Sequence, residues 1–440
     1  MKYLIVTLLF IFQISFLQAN NLKPKLISGP VIGSVTDHSA KIWYAYSGRC
    51  DVIVALFDAV HKEVKFPTSL DFIKNKKGVI AMTLSFSELR PNTKYVITIT
   101  FNKQLMSDKY ALTTMSAEPI KDFSFIAGSC FLEMPNAFGR MFLPGAHKRI
   151  FEPMSKDSTA DFNLWLGDNT YLLFGQWNSF EKNFKRQLST RTKNKLYSKY
   201  LMSRPNYAIW DDHDFGPNDC DGQFALKDTS LNIFKHFWPN EQFGLPETKG
   251  IFSSFSQYDC DFFLLDDRYY RSSEEDSNGH LLGDEQMQWL KISLLNSKAT
   301  FKFIITGSQV LNQQTEKECW RSDFPKDTKD FLAFIKNNQI NGIVFLTGDR
   351  HLTRVVKDET ITNYPIYDFT ISPVLSILSK VTEIEKNNPQ VITKTLVEGK
   401  RNFAKIEVTG SPGNRICTIH DLDEYGVEQW QISLKEEELK

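Results

Sequence analysis

The chain has 440 residues, more than one ordinary hydrophobic core accommodates, so two domains are expected. Apolar residues make up 42%, enough for packed cores, which excludes global disorder. The 52 basic and 52 acidic side chains cancel. With no strongly basic run, this argues against a nucleic-acid-binding surface but leaves room for a local cationic pocket.

Residues 1–19 read MKYLIVTLLFIFQISFLQA: a lysine at position 2, an apolar run, then Leu17-Gln18-Ala19 before Asn20. This is the shape of a secretory signal, with cleavage expected after Ala19. An uncleaved anchor is the alternative, but the apolar run is shorter than the ~20 residues a span needs. No cysteine follows the cleavage point, which disfavours a lipid anchor, and no later run is apolar enough to span. The mature protein is therefore expected to be secreted or periplasmic, without a transmembrane segment. Export permits disulfides. The six cysteines, Cys50, Cys130, Cys220, Cys260, Cys319 and Cys417, contain no CxxC pair, so a zinc ribbon is not expected, and their spacing does not give a pairing.

Residues 25–115 read as all-β. Lys41 to Tyr46 and Val52 to Leu56 alternate, and helical periodicity is absent. Leu89, a Pro91-Asn92 turn and Tyr95 entering the strand Val96–Phe101 resemble the tyrosine-corner region of fibronectin-like sandwiches. A small β-sandwich with a structural or docking role is expected here.

Pro119 and Lys121 mark a junction, and residues 120–435 are assigned to a second domain. Its short apolar runs predict buried strands at 123–127, 162–166, 207–210, 262–265, 301–305 and 343–346. Amphipathic helices are predicted over 284–296 and 327–338. Residues 177–202 read as one long helical region whose Lys- and Arg-rich face should be solvated. Alternating strand and helix text implies an open sheet flanked by helices. Strand-like text returns at 403–408 and 415–419.

Each buried-strand candidate ends in reactive side chains: Gly128-Ser129-Cys130, Gly167-Asp168-Asn169-Thr170-Tyr171, Asp211-Asp212-His213, Asp266-Asp267-Arg268, Thr306-Gly307-Ser308-Gln309 and Thr347-Gly348-Asp349-Arg350-His351. Sites in α/β sheets form beyond the carboxyl ends of strands, so six such ends predict a site. The stretch AIWDDHDFGPND, 208–219, sets three acids beside one histidine, a conflict that a metal cation would remove. Gly167 permits a tight turn, and the Asp168 carboxylate can bridge two cations. Asp349 and His351 flank Arg350, two residues apart, so both can face one pocket. Cys130 reads as a thiolate ligand, a nucleophile or a disulfide partner.

In this order, GSC, GDNTY, WDDHD with a following Asn, DDRYYR and GDRH resemble the PhoD-type alkaline phosphatases, a calcineurin-like metallophosphoesterase branch, over residues 25–435. The resemblance implies an α/β metallophosphoesterase-type layered fold, with β-sheets flanked by helices, after a small fibronectin-like sandwich. It implies Fe3+ and Ca2+ as cofactors, with other divalent metals as alternatives. Cys130, Asp168, Tyr171 and His351 would hold the iron. Asp168 would bridge to calcium, completed by Asn218 and Asp349. His213 would contact the substrate or leaving group, with Asp212 beside it, and Arg268 would hold phosphate oxygens. Two departures bear on this. Gly216-Pro217 changes the spacing to Asn218, which makes Asp219 an alternative ligand. Asp266-Asp267 also replaces the common Asp-Thr before Arg268. The implied reaction is hydrolysis of a small phosphate monoester by a metal-bound hydroxide, which a trivalent centre supplies near neutral pH. A phosphodiesterase or phospholipase on the same site is the alternative. A non-catalytic calcium-dependent binder and a Cys130–His213 hydrolase are the readings from other classes.

Overall fold

The computed structural model describes residues 24–48, 50–134, 148–273, 276, 278–313 and 318–440; the signal read at 1–19 lies outside them. The N-terminal strands form two four-stranded sheets. One is ordered Lys25–Val35, Ala40–Ser47, Ile80–Phe86, Ser69–Lys74, and the other Glu63–Lys65, Val52–Asp58, Lys94–Phe101, Gln104–Thr113. Period-two alternation sends Ile42, Tyr44 and Tyr46 into a core with Leu56, Tyr95 and Ile97. Tyr95 is fully buried, and its hydroxyl accepts the Arg90 N–H at 2.8 Å, the backbone bond of a tyrosine corner.

Trp43 and Ala45 point the other way, into the core of the following domain. The Trp43 indole donates to the His236 carbonyl at 2.6 Å, and the Ser34 N–H donates to the Pro239 carbonyl at 2.9 Å. Both faces of the Ala40–Ser47 strand are thus buried, which fastens the sandwich to its neighbour.

Beyond the sandwich, twelve strands among the described residues divide between two sheets. The first is ordered Asn206–Ile209, Phe162–Leu166, Phe123–Gly128, Asn402–Thr409, Ile416–Asp423, Glu428–Lys435. The second is ordered Ser253–Gln257, Cys260–Leu264, Phe301–Thr306, Ile343–Thr347, Ile366–Thr370, Arg354–Asp358. The Phe123, Phe162 and Asn206 strands are parallel, as are the Cys260, Phe301, Ile343 and Ile366 strands.

The sheets stack on phenyl rings. Phe125 meets Phe262 and Phe303 edge-on at 5.3 and 5.5 Å, and Phe162 meets Phe262 at 5.4 Å. Burying each such ring stabilises the fold by roughly 1.5–3 kcal/mol. Leu290, Leu294, Phe331 and Ile335 of the helices Asp284–Asn296 and Pro325–Asn337 cover Phe263, Ile304 and Phe345 on the outer face of the second sheet. Phe151 and Tyr197, from Phe151–Lys156 and Lys195–Leu201, pack together, and Tyr197 meets Trp165 on the first sheet. The layers run helix, sheet, sheet, helix.

Two expectations change. The open sheet is two stacked sheets, because a strand apolar on both faces needs cover on both, and here a second sheet covers one. The helical region 177–202 is two helices, Phe180–Lys193 and Lys195–Leu201. Asn194 separates them, its side chain accepting the Leu196 and Tyr197 N–H groups at 3.1 Å. The basic face is not simply solvated: Arg186 and Arg191 are buried. Arg191 lies over the rings of Trp238, Phe237 and Trp43 at 4.6, 5.0 and 5.4 Å and donates to the Phe237 carbonyl at 3.1 Å.

Candidate metal centre

The six strand ends fall three to a sheet, and both sets open at one place. Four of the side chains that meet there sit on left-handed backbone: Cys130 (φ 61°), Asp168 (φ 56°), Asp349 (φ 66°) and His351 (φ 55°). Non-glycine residues adopt this region at a cost, and the surrounding structure must hold them. Gly307 lets the Phe301–Thr306 strand end close against the group, since a Cβ there would lie 2.5 Å from the Asp211 Cγ.

Cys130, Asp168 and His351 each place one donor atom within 4.8 Å of the others. The Cys130 sulfur is 3.6 Å from Asp168 Oδ2 and 3.5 Å from the Asp349 carbonyl. The Tyr171 hydroxyl lies 2.8 Å from His351 Nε2. A second trio, Asp168, Asp212 and His213, meets the same limit, so Asp168 is shared. The His213 ring stacks on Tyr171 with centroids 4.1 Å apart. The Asp212 carboxylate accepts the N–H groups of His213 (2.8 Å) and Asp219 (2.7 Å). A third trio joins Asp349 to Asp211 and Glu318.

Two sequence-derived ligands lie at the rim of this buried group, next to Asp212. Asn218 and Asp219 are exposed at the turn after His213, Asp219 on left-handed backbone. Arg268, expected to hold phosphate oxygens, is engaged by protein partners here. Its side chain is fully buried. It donates to Asp211 Oδ1 (Nε, 2.6 Å), to both Glu318 oxygens (3.0 and 2.6 Å) and to the Cys220 carbonyl (3.4 Å). An ester would have to displace a bidentate carboxylate to reach it.

Asp211, Glu318, Ser372 and Ser376 belong to the site but were given no role from the sequence. Ser372 Oγ lies 3.2 Å from the Cys130 sulfur, and Ser376 Oγ lies 3.4 Å from the Tyr171 hydroxyl. Both follow the Ile366–Thr370 strand, where Asp368 interrupts the run and apolar residues alternate with the serines, so the pattern that marked the other six ends is blurred there. The sequence before Glu318 carries no such signal. Other acids at these ends are structural. Asp214 accepts the Asn169 and Thr170 N–H groups at 2.9 and 2.7 Å. Asp266 accepts from Trp210 Nε1 at 2.8 Å and the Tyr269 N–H at 2.9 Å.

The electrostatics call for a cation. Burial, then Asp212 and Asp211, push the Asp168 carboxyl well above its usual range. Burial and Glu318 push Asp349 up to about 8. Burial, then Asp168, push up both the Cys130 thiol and the Tyr171 phenol. Burial and His213 bring His351 down to about 4, a neutral imidazole near pH 7. Asp212 is the exception: burial opposes its charge, but His213, Arg268 and two backbone N–H groups hold it low. Asp211 Oδ2 and His213 Nδ1 are buried without a partner among the described residues. Thiol, phenol, carboxylate and imidazole donors pressed together this way fit bound metal, which would relieve the repulsion.

Donors of this kind, gathered where two stacked sheets end, define a layered α/β protein with a candidate metal centre. Comparison narrows the class: a model of the PhoD-like phosphatase family matches residues 139–405, and the chain belongs to that family, whose members hydrolyse phosphoric esters. A solved structure of PhoD has a TM-score of 0.70 at 17% identity, covering 92% of this chain and 91% of that one. A purple acid phosphatase from yellow lupin (Lupinus luteus) seeds has a TM-score of 0.68 at 10% identity, covering 94% of this chain and 74% of that one. At such identities the likeness speaks for the fold. Comparison with curated proteins gives no significant match.

Proposed function

We propose that this phosphoric ester hydrolase is an exported phosphatase that cleaves small monoesters at a two-cation centre. The observation that carries the reading is Asp168, one carboxylate shared by two donor groups. Cys130, Tyr171 and His351 would hold one cation with it, suited to Fe3+; Asp349 and Asn218, with Asp212 beside them, would hold the other, suited to Ca2+. When bound, the cations would acidify water to give the nucleophile and offset charge on the phosphoryl oxygens. His213 stands beside the shared carboxylate, and its Nδ1, without a partner among the described residues, can carry the proton to the departing ester oxygen. Asp212 fixes His213 by accepting its backbone N–H. Arg268 neutralises Asp211 and Glu318 and leaves the ester to the cations. Cys130 is a poor nucleophile here: it is fully buried, and neighbouring acids oppose its thiolate.

The metal-loaded protein is expected to hydrolyse p-nitrophenyl phosphate and to contain iron. Inactivity on both this ester and bis-p-nitrophenyl phosphate would refute the reading. One observation favours diesters with an apolar arm. Phe174, three residues past Tyr171, is 81% exposed, and Ile377, beside Ser376, is 54% exposed. Relative rates on the two esters separate these readings. For export, the test is N-terminal sequencing of protein recovered outside the cytoplasm, with Asn20 expected first.

A further inference from the structure

The Cys130 sulfur has two hydroxyls beside it, Ser372 Oγ at 3.2 Å and Ser129 Oγ at 3.5 Å. Each hydroxyl has one proton to give. Ser129 also lies 2.8 Å from the Ile371 carbonyl, a shorter contact with a better acceptor, which competes with the sulfur for its single proton. Ser372 is placed differently. Its oxygen accepts the His351 N–H at 2.9 Å, which turns its own proton toward Cys130.

Ser372 cannot readily rearrange. It is fully buried, its N–H donates to Thr353 Oγ1 at 3.1 Å, and its carbonyl accepts from Asn402 Nδ2 at 3.1 Å. One hydroxyl therefore joins the sulfur at the end of one sheet to the backbone of the imidazole ligand at the end of the other.

We propose that Ser372 is a positioning residue of the metal centre: it donates the hydrogen bond that steadies negative charge on the Cys130 sulfur and ties that sulfur to His351. The proposal rests on the metal-centre reading above. A hydrogen bond to a thiolate lowers the energy of its electrons and weakens it as a donor, and partners that orient ligands govern how tightly the metal is held. Ser372 touches neither substrate nor reacting atoms, so its effect reaches the reaction through Cys130 and His351.

The test is the charge-transfer absorption from sulfur to metal in the full-length protein loaded with cobalt(II). Loss of the band in C130S identifies it. In S372A the band is expected at longer wavelength, with cobalt affinity weakened about 10- to 100-fold. In S372T, which keeps the hydroxyl, and in S129A, which removes the hydroxyl that the Ile371 carbonyl also claims, the band is expected at the wild-type position. An unmoved band in S372A overturns the proposal, as does an equal shift in S129A. Should S372A fail to fold, S129A still decides which hydroxyl is the donor, because a shift there overturns the assignment. Wild-type protein that neither binds cobalt nor shows the band would sink the metal-centre reading itself. A band present in wild type and unmoved in S372A would sink only the role of Ser372.

Discussion

A carboxylate set among other buried carboxylates raises the free energy of its own charged form, and Asp168 carries that burden for two donor groups at once. Asp168→Ala is expected to lose bound metal together with turnover, read as metal content per chain beside p-nitrophenyl phosphate hydrolysis. His213→Ala should differ: metal content stays, while kcat falls roughly 100-fold or more, the usual worth of a positioned proton donor. If His213→Ala also lost its metal, the histidine would be a ligand and not the donor. Asp421 makes a separate prediction about stability. Opposite Trp430 in the Ile416–Asp423 strand, it has both side-chain oxygens buried without a partner among the described residues. Burial, then Asp423, push its carboxyl well above the unfolded value of about 3.9, while Lys400 pulls the other way. A raised carboxyl binds more protons folded than unfolded. Its contribution is therefore complete below about pH 4 and is lost as pH rises, by up to about 1.4 kcal/mol per unit, until the folded carboxyl ionises. Urea denaturation across neutral pH should show this slope, and Asp421→Asn should flatten it.

Elements in this protein are placed by what their two faces bury. The second-domain strands were legible because runs such as Phe162–Leu166 and Phe301–Thr306 are mostly apolar on both faces, and the structure buries every position of both, Asn163 and Lys302 included. The helix Asp284–Asn296 was equally plain from its spacing. The break at Asn194 was not, because an asparagine within a helical stretch becomes a cap only when its side chain turns back to the backbone. Nor was the burial of Arg191, since the aromatic rings that receive it come from distant parts of the chain. Arg191→Lys, which loses the planar cation over three rings, should cost about 2 kcal/mol, read as a lowered denaturation midpoint. Gly307→Ala tests the convergence of strand ends. Its Cβ would meet the Asp211 carboxylate at 2.5–2.9 Å, so activity should fall because Arg268 and Asp211 must shift. Wild-type activity would show that the strand end has room to move.

Across the whole molecule, two sheets and a docked sandwich hold a centre whose charges do not balance without a cation. Chelation should therefore abolish hydrolysis and also lower the thermal midpoint, and restoring metal should recover both, because a ligand bound to the folded state alone stabilises it. A midpoint unchanged by chelation would mean that the fold tolerates the carboxylates unaided. The sequence by itself determined which runs become buried strands, that an all-β unit precedes an α/β one, and that the ends of those strands carry acids, imidazoles, a thiol and a phenol. These are properties of short stretches, written in periodicity and in the residues that follow it. Only the tertiary structure decided that the strands split between two stacked sheets, that Arg268 is claimed by Asp211 and Glu318, and that a seventh strand end brings Ser372 to Cys130. Those outcomes depend on which distant groups compete for the same protons and the same buried space, and that competition exists only once the chain has closed on itself.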